Sequence, residues 1–136
     1  MEKHEIEFFE RTRISELYQR LSAIETSMKD ERRQLWRSEK ECQEDYTVCD
    51  RLEILSMDIS GYVSQITSEG YTRQEPEEVI KHLHKLSIFD VECIVQWYPS
   101  AAEEYPKIKQ FFELLDYIRL LTLQYVEKYN LPESRQ

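Results

Sequence analysis

The chain has 136 residues, which suit one domain with a substantial hydrophobic core. Two glycines and four prolines are too few for the turns of a β-sandwich or barrel, so the composition predicts an all-α protein. The net charge of −9 provides no counterion-release energy on a phosphate backbone and argues against independent binding to DNA or RNA.

The cysteines and the N-terminal residues bear on cellular location. Cys42, Cys49 and Cys93 are an odd set without CxxC spacing, and the first ten residues, MEKHEIEFFE, are too charged for a secretory signal. The sequence also contains no apolar run of membrane-spanning length. We therefore expect an intracellular protein, nuclear or cytoplasmic, with reduced thiols and no membrane association.

An apolar repeat marks the first long helical stretch. Its members alternate three and four residues apart, the heptad spacing of a coiled-coil seam: Ile14, Leu17, Leu21, Ile24 and Met28. The same frame continues at Leu35, Cys42, Cys49, Leu52, Ile59, Val63 and Ile66. The alternate positions are polar in the middle of the stretch, at Glu31, Ser38 and Asp45.

Two arrangements fit this pattern. The first is one long helix or coiled coil over residues 5–67 with a polar centre. The second is a pair of helices separated around residues 36–45, the second of which begins at the capping box Ser38-Glu39-Lys40-Glu41. Because neither glycine nor proline occurs before Gly61, the sequence leaves both arrangements open.

The N-terminal stretch is the predicted association surface. Trp36 follows Leu35 in the most charged part of the chain, where a core is hard to build, and tryptophan is enriched at protein interfaces. The predicted partner-binding residues are Ile14, Leu17, Tyr18, Leu21, Ile24, Met28, Leu35 and Trp36. We expect these residues to mediate assembly of the protein into a homo- or hetero-oligomer. The basic residues nearby lie among acidic ones and are interpreted as a solvated face: Lys29, Arg32, Arg33, Arg37 and Lys40.

Three short helices follow, each with boundary signals. Residues 52–66 place apolar side chains on one side and end near Gly70. A capping box at Thr72 and Glu75 predicts a helix from Pro76 to residue 86. The next helix, 88–98, should stop before Pro99. Either a kink at Pro106 or a short turn over 101–104 before a fresh helix start at Pro106 is expected.

The last helix, 108–129, is apolar around most of its circumference, which predicts burial inside the protein. A stop signal follows at Asn130 and Pro132. We expect core positions at Phe112, Leu115 and Ile118, and core or interface positions at Tyr117, Leu121 and Tyr125. The predicted fold is therefore a bundle of short capped helices around a long C-terminal helix, with a long N-terminal helix or coiled-coil arm.

Few residues of the sequence indicate catalytic, metal-binding or cofactor-binding chemistry. His82 and His84 are two apart, so on a helix they diverge by about 200° and do not share a metal ion easily. Two glycines exclude a glycine-rich phosphate loop, and the carboxylate pairs at helix starts serve the helix dipole. We expect no catalytic site, metal or cofactor, and therefore a non-enzymatic protein.

Residues 86–105, LSIFDVECIVQWYPSAAEEY, resemble the small helical subunit of the eukaryotic and archaeal RNA polymerase stalk, the fourth-subunit family of polymerase II. The likeness rests on Leu86, Phe89, Asp90, Pro99, Ala102, Glu103 and Glu104. Upstream, LEILSMDISGYVSQI and EPEEVIKHL look like the preceding helices, and RISELYQRLSAIETSMKDER loosely like the partner-contacting one. The resemblance implies an HRDC-like domain, pairing with the OB-fold stalk subunit near emerging RNA, and a part in transcription initiation.

These observations lead to two functional hypotheses. The first is a protein-interaction subunit of a larger complex, such as the stalk-like subunit. The alternative is a coiled-coil scaffold or adaptor of a pore, tether or kinetochore-type assembly, based on the heptad frame. In both cases residues 1–50 are the association arm and residues 51–136 the compact bundle.

Overall fold

The computed structural model describes residues 3–41, 47–67, 76–87 and 92–129, and in this part of the chain there are six helices and no strand. They are α1 (Lys3–Ser27), α2 (Lys29–Glu41), α3 (Val48–Thr67), α4 (Pro76–Lys85), α5 (Glu92–Glu104) and α6 (Pro106–Tyr129). The predicted all-α class is confirmed. The capping box at Thr72 and Glu75 and the stop signal at Asn130 and Pro132 lie outside the described residues.

Helix α6 is the centre of the bundle. Helices α1, α2, α3, α4 and α5 all contact it, and α1 makes the most extensive contact. The expected core positions Phe112, Leu115 and Ile118 are fully buried, so that prediction is confirmed. Of the three core-or-interface positions, Tyr125 is buried, Leu121 packs partly buried against the core, and Tyr117 is exposed.

Helices α1 and α2 together run antiparallel to α3. The Tyr18 hydroxyl lies 2.5 Å from Ser60 Oγ, and the Cys49 thiol donates to the Arg32 carbonyl at 3.8 Å. The chain therefore reverses between α2 and α3, and one continuous helix over 5–67 is not formed. At Met28, between α1 and α2, the hydrogen bonds continue from Met28 N to Ile24 O and from Arg32 N to Met28 O.

The reversal explains the heptad frame. Both halves of the repeat face one shared core, which contains these frame positions: Ile14, Leu17, Leu21, Met28, Leu35, Cys49, Leu52, Ile59, Val63 and Ile66. Cys42 and Asp45 lie outside the described residues. The predicted helix start at Ser38 is wrong, because 38–41 are the last turn of α2. The next helix begins at Val48 after Thr47, whose hydroxyl accepts from the Asp50 amide at 3.0 Å.

Polar contacts fix the register of α1 on α6. The Tyr125 hydroxyl donates to Glu7, and Lys128 Nζ donates to Glu10 at 2.8 Å. Further along, Arg13 donates to the Tyr117 hydroxyl at 3.1 Å. The start of α1 thus lies beside the end of α6. The predicted boundary at residue 50 falls in the first turn of α3, and α1 shares its core with the helices of 51–136.

The prolines of the C-terminal half behave differently from one another. The predicted stop at Tyr98 is wrong, because α5 continues through Pro99 to Glu104. Pro99 is exposed, and Val95, whose carbonyl loses its helical donor there, is also exposed, so water can satisfy that carbonyl. Of the two alternatives at Pro106, the fresh start is confirmed, since α6 begins there, but the turn over 101–104 is wrong because those residues belong to α5.

Within the part of the chain that the structure covers, every helix is too short or too polar to cross a membrane.

Candidate functional site

The predicted partner-binding residues divide into two groups in the structure. Five are buried in the core of this chain: Ile14, Leu17, Leu21, Met28 and Leu35. Tyr18 and Ile24 pack against the same core partly buried. Trp36 is the member of the set that faces solvent, with half of its surface exposed. A partner role for the seam residues stays a prediction, and the candidate site is centred on Trp36.

Helix α2 is held to the start of α6 by Glu31. One oxygen of this side chain, Oε1, accepts from the Lys107 amide at 2.9 Å and from the Ile108 amide at 3.3 Å. Pro106 has no amide hydrogen, and the Lys109 amide donates to the Tyr105 carbonyl at 3.0 Å. All four first-turn positions of α6 are therefore accounted for, with a carboxylate at the positive end of the helix dipole.

Glu39 does the same at the start of α3. Its carboxylate is buried and accepts from the Val48 amide at 2.5 Å and from the Cys49 amide at 3.1 Å. The Thr47 side chain and carbonyl accept from the next two amides, so the first turn of α3 is also satisfied. Two acidic residues of one helix thus cap two other helices, and α2 is anchored at both of its ends.

The Cys49 thiol lies at the junction of α2 and α3. Burial raises its pKa from the ordinary 9.0 to about 12, assisted by the hydrogen bond and negative charge of Glu39. Arg32 opposes this shift without cancelling it. The thiol stays protonated at neutral pH, so it is a packing residue and a poor nucleophile.

The outer face of α2 carries Trp36 among basic side chains. At 3.6 residues per turn, Arg32, Trp36, Lys29, Lys40, Arg33 and Arg37 fall within an arc of about 140°, and no acidic residue of α2 falls inside it. We call these six residues the basic face. Lys40 Nζ lies 4.5 Å from the centroid of the Trp36 ring, within the range of a cation–π contact. Arg33 pairs loosely with Asp30 at 3.7 Å, and both side chains are exposed.

A shallow groove separates the basic face from α3. Its volume is about 380 Å³, and it is lined by Lys29, Arg32, Arg33, Trp36, Cys49, Asp50 and Glu53. The α2 wall is basic and aromatic, whereas the α3 wall is acidic beyond Cys49. The groove has the size of a side-chain or short-segment site.

The sequence indicated part of this site. It indicated Trp36 and the five basic residues, although the basic residues were interpreted as a solvated face. It missed the roles of Glu31 and Glu39. Glu31 could nonetheless have been recognised, because it is a polar residue at a heptad position where the repeat otherwise has apolar side chains. A polar side chain that faces the interior requires a hydrogen-bond partner there.

His82 and the buried Arg119 belong to helix packing. His82 Nδ1 shares a hydrogen bond with the Tyr62 hydroxyl, and His82 Nε2 lies 3.9 Å from Asp58, which ties α4 to α3. Burial raises the pKa of Tyr62, with Asp58 and Glu78 adding to the effect. Arg119 donates to the Leu83 carbonyl at 3.0 Å, near the end of α4. Among the described residues there is no cluster of His, Cys, Asp and Glu fit to hold a metal ion.

Comparison of the chain with protein-family models, with curated proteins and with solved structures finds no significant match. The fold and the site therefore define the class by themselves. It is an all-α bundle around a buried C-terminal helix, with an exposed basic and aromatic face on a helix whose carboxylates cap two other helices.

Proposed function

We propose that this chain is a non-enzymatic subunit of a larger assembly that binds a partner protein through the basic face of α2. The observation that carries the proposal is Trp36, which is half exposed on a helix otherwise anchored in the fold. Exposing an indole to water is unfavourable, and tryptophan is among the residues that contribute most to binding when a partner covers them. The subunit would act inside the cell, in the nucleus or cytoplasm.

The anchoring of α2 supports this proposal. Association costs free energy for every segment that must be ordered on binding. Glu31 and Glu39 hold both ends of α2 before any partner arrives, so Trp36 is presented at a defined position. A preorganised aromatic residue of this kind is expected of an interaction surface.

The specific assembly that we propose is a stalk-like RNA polymerase subunit paired with an OB-fold partner. It is supported by the resemblance of residues 86–105. Co-expression with OB-fold polymerase subunits from the same organism tests it. Failure of every such subunit to co-purify would contradict the polymerase assignment and leave the interaction surface as proposed.

The packing of α1 disfavours the coiled-coil scaffold. Leu21 and Met28 are at most 2% exposed in the monomer, so self-association through them requires α1 to leave α6. Light scattering distinguishes the alternatives, because a scaffold would be an elongated oligomer that dissociates when Ile24→Asp is introduced. We expect a compact particle whose mass is unaffected by that substitution.

Affinity capture from extracts of the source organism tests the interaction surface directly. We compare the wild-type chain with Trp36→Ala and with Gln34→Ala, an exposed residue on the opposite side of α2. A partner retained by the wild type and by Gln34→Ala, but lost with Trp36→Ala, is the expected result. Equal retention by all three proteins would refute binding through this face.

A further inference from the structure

Helical spacing keeps the acidic residues of α2 out of the basic face, and two of them point inward. Helix α2 contains five basic and four acidic residues in its sequence, so it is nearly neutral by count. Glu31 and Glu39 are committed to capping α6 and α3, and this leaves the outward arc around Trp36 positive. The helical period and the two caps thus separate charges that alternate in the sequence.

This local charge contrasts with the rest of the protein. The whole chain carries −9, so an acidic molecule is repelled by most of its surface. At physiological ionic strength the screening length is about 8 Å, and a positive arc therefore acts on what touches it, largely independently of distant charges. An acidic partner would be attracted at the basic face and repelled elsewhere.

We propose that the basic face binds an acidic segment of the partner protein, with an apolar side chain of that segment against Trp36 and its carboxylates on the arginines and lysines. This inference rests on the proposed function and specifies the chemistry of the partner. Arginine pairs with carboxylates in a bidentate geometry, which lysine lacks, so Arg33 and Arg37 give such a segment its register.

The acidic wall of the groove favours a protein segment over a nucleic acid as the bound partner. Asp50 and Glu53 face the basic face across the groove and would repel a phosphate backbone lying in it. A protein segment can place amide or basic groups on that side. The net charge of −9 also removes the long-range attraction that nucleic-acid binders use.

Purified components test the inference. The probes are a fluorescein-labelled peptide of glutamates with leucines at helical spacing, its counterpart with lysines in place of the glutamates, and a labelled single-stranded oligothymidylate. Fluorescence anisotropy measures their binding to the full chain, to Trp36→Ala, to Arg37→Glu and to Arg20→Glu. Arg20 is an exposed residue of α1, so its reversal makes the same charge change away from the site.

We expect the glutamate peptide to bind the wild type and Arg20→Glu alike, and to bind Arg37→Glu and Trp36→Ala about tenfold more weakly. Added salt should weaken the wild-type complex, and the lysine peptide should prefer Arg37→Glu to the wild type. Circular dichroism confirms that each variant is folded.

Three outcomes would overturn the inference: no binding of the glutamate peptide, equal loss with Arg20→Glu and Arg37→Glu, or binding of the oligonucleotide alone. These outcomes are separable from failure of the proposed function. If capture depends on Trp36 but the glutamate peptide does not bind, the surface stands and the acidic chemistry is wrong. If capture is independent of Trp36, the interaction function at this face is wrong.

Discussion

Glu31 and Glu39 lie eight residues apart on α2, about two helical turns, and each reaches the start of a different helix. A carboxylate that accepts hydrogen bonds from two first-turn amides satisfies groups that have no partner inside their own helix. It also places negative charge at the positive end of the dipole. These two side chains therefore stabilise the fold and at the same time orient the exposed face of α2.

The first prediction concerns the buried cap. Replacing Glu39 by Leu removes both acceptors of the Val48 and Cys49 amides and should lower the free energy of unfolding by about 2 kcal/mol. Glu39→Gln keeps one acceptor oxygen and should lose about half as much. Urea unfolding measures both. Glu16→Ala is the control, since Glu16 is exposed on α1, and equal stability of all the variants would mean that the Glu39 cap contributes nothing.

The second prediction concerns the Cys49 thiol and pH. The unfolded thiol loses its proton near 9.0, whereas the folded thiol keeps it to about 12. Because the raised pKa favours the protonated form in the folded state, its contribution to stability is complete below pH 9 and is lost as the pH rises toward 12. The protein should therefore lose stability over this window more steeply than Cys49→Ala.

The measurement needs Cys42→Ser and Cys93→Ser in both proteins, so that Cys49 is the thiol compared. In the same background, iodoacetamide at neutral pH should alkylate the folded protein slowly and the urea-unfolded protein fast. Rapid alkylation of the folded protein would show that the thiol is exposed and that its pKa is not raised.

At the scale of helices, α1 raises the question of which chain covers its apolar seam. Leu21 is 2% exposed and belongs to the core shared with α6. Leu21→Ala should lower the free energy of unfolding of the isolated protein by about 3 kcal/mol. Leu120→Ala, at a partly exposed position of α6, should cost less than about 1 kcal/mol. A Leu21→Ala protein with unchanged stability and reduced self-association would instead place the seam at an interface between chains.

Gly61 lies in α3, and its replacement is expected to increase the stability of the protein. A Cβ built at Gly61 meets no atom within 4 Å, and the position is exposed and helical. Gly61→Ala should therefore raise the free energy of unfolding by about 0.5–1 kcal/mol through helix propensity alone. Gly61→Val should raise it less, because its branched side chain is restricted in a helix. Urea midpoints rank the three proteins, and a destabilised Gly61→Ala would contradict open space at this site.

The sequence predicted which residues of each helix are buried better than it predicted which helix covers them. Periodicity identified the buried residues of both halves of the heptad frame, such as Leu21 and Ile59, because burial follows from amphipathic spacing. It did not decide whether the covering helix belongs to the same chain, since the seam is apolar in either case. The reversal after α2 carries no glycine or proline signal, and the cap at its far side is formed by Glu39, a residue nine positions earlier.

The error at Pro99 has a similar origin. Local geometry disfavours helix around a proline, at a cost of about 3 kcal/mol in a helix interior. Tertiary packing supplies the compensation, because Trp97 stacks on Tyr105 at 6.1 Å and meets the Phe112 ring edge-on at 5.8 Å. These contacts span both sides of the proline and involve residues that no local pattern connects. Propensity is therefore a weaker guide where a helix is packed on two sides.

At the scale of the whole molecule, the positions of the charged residues define the candidate site better than the net charge does. The acidic residues that alternate with the basic ones in the sequence led to the interpretation of the basic residues as a solvated face. The fold turned Glu31 and Glu39 inward and left the positive residues together around Trp36. Which acids turn inward depends on where α3 and α6 begin in space, and this is settled only when the helices pack.

The double anchoring of α2 also makes the starts of α3 and α6 respond together to its movement. Four amide hydrogens, those of Val48, Cys49, Lys107 and Ile108, are shielded by carboxylates of a single helix. Whenever α2 lifts away, all four become open to solvent deuterium, although the two pairs lie far apart in sequence. Native-state hydrogen exchange should therefore give these amides one common opening free energy, lower than that of Ile118 in the core. A partner that covers Trp36 should slow all four, and protection of one pair alone would show that the two ends of α2 open independently.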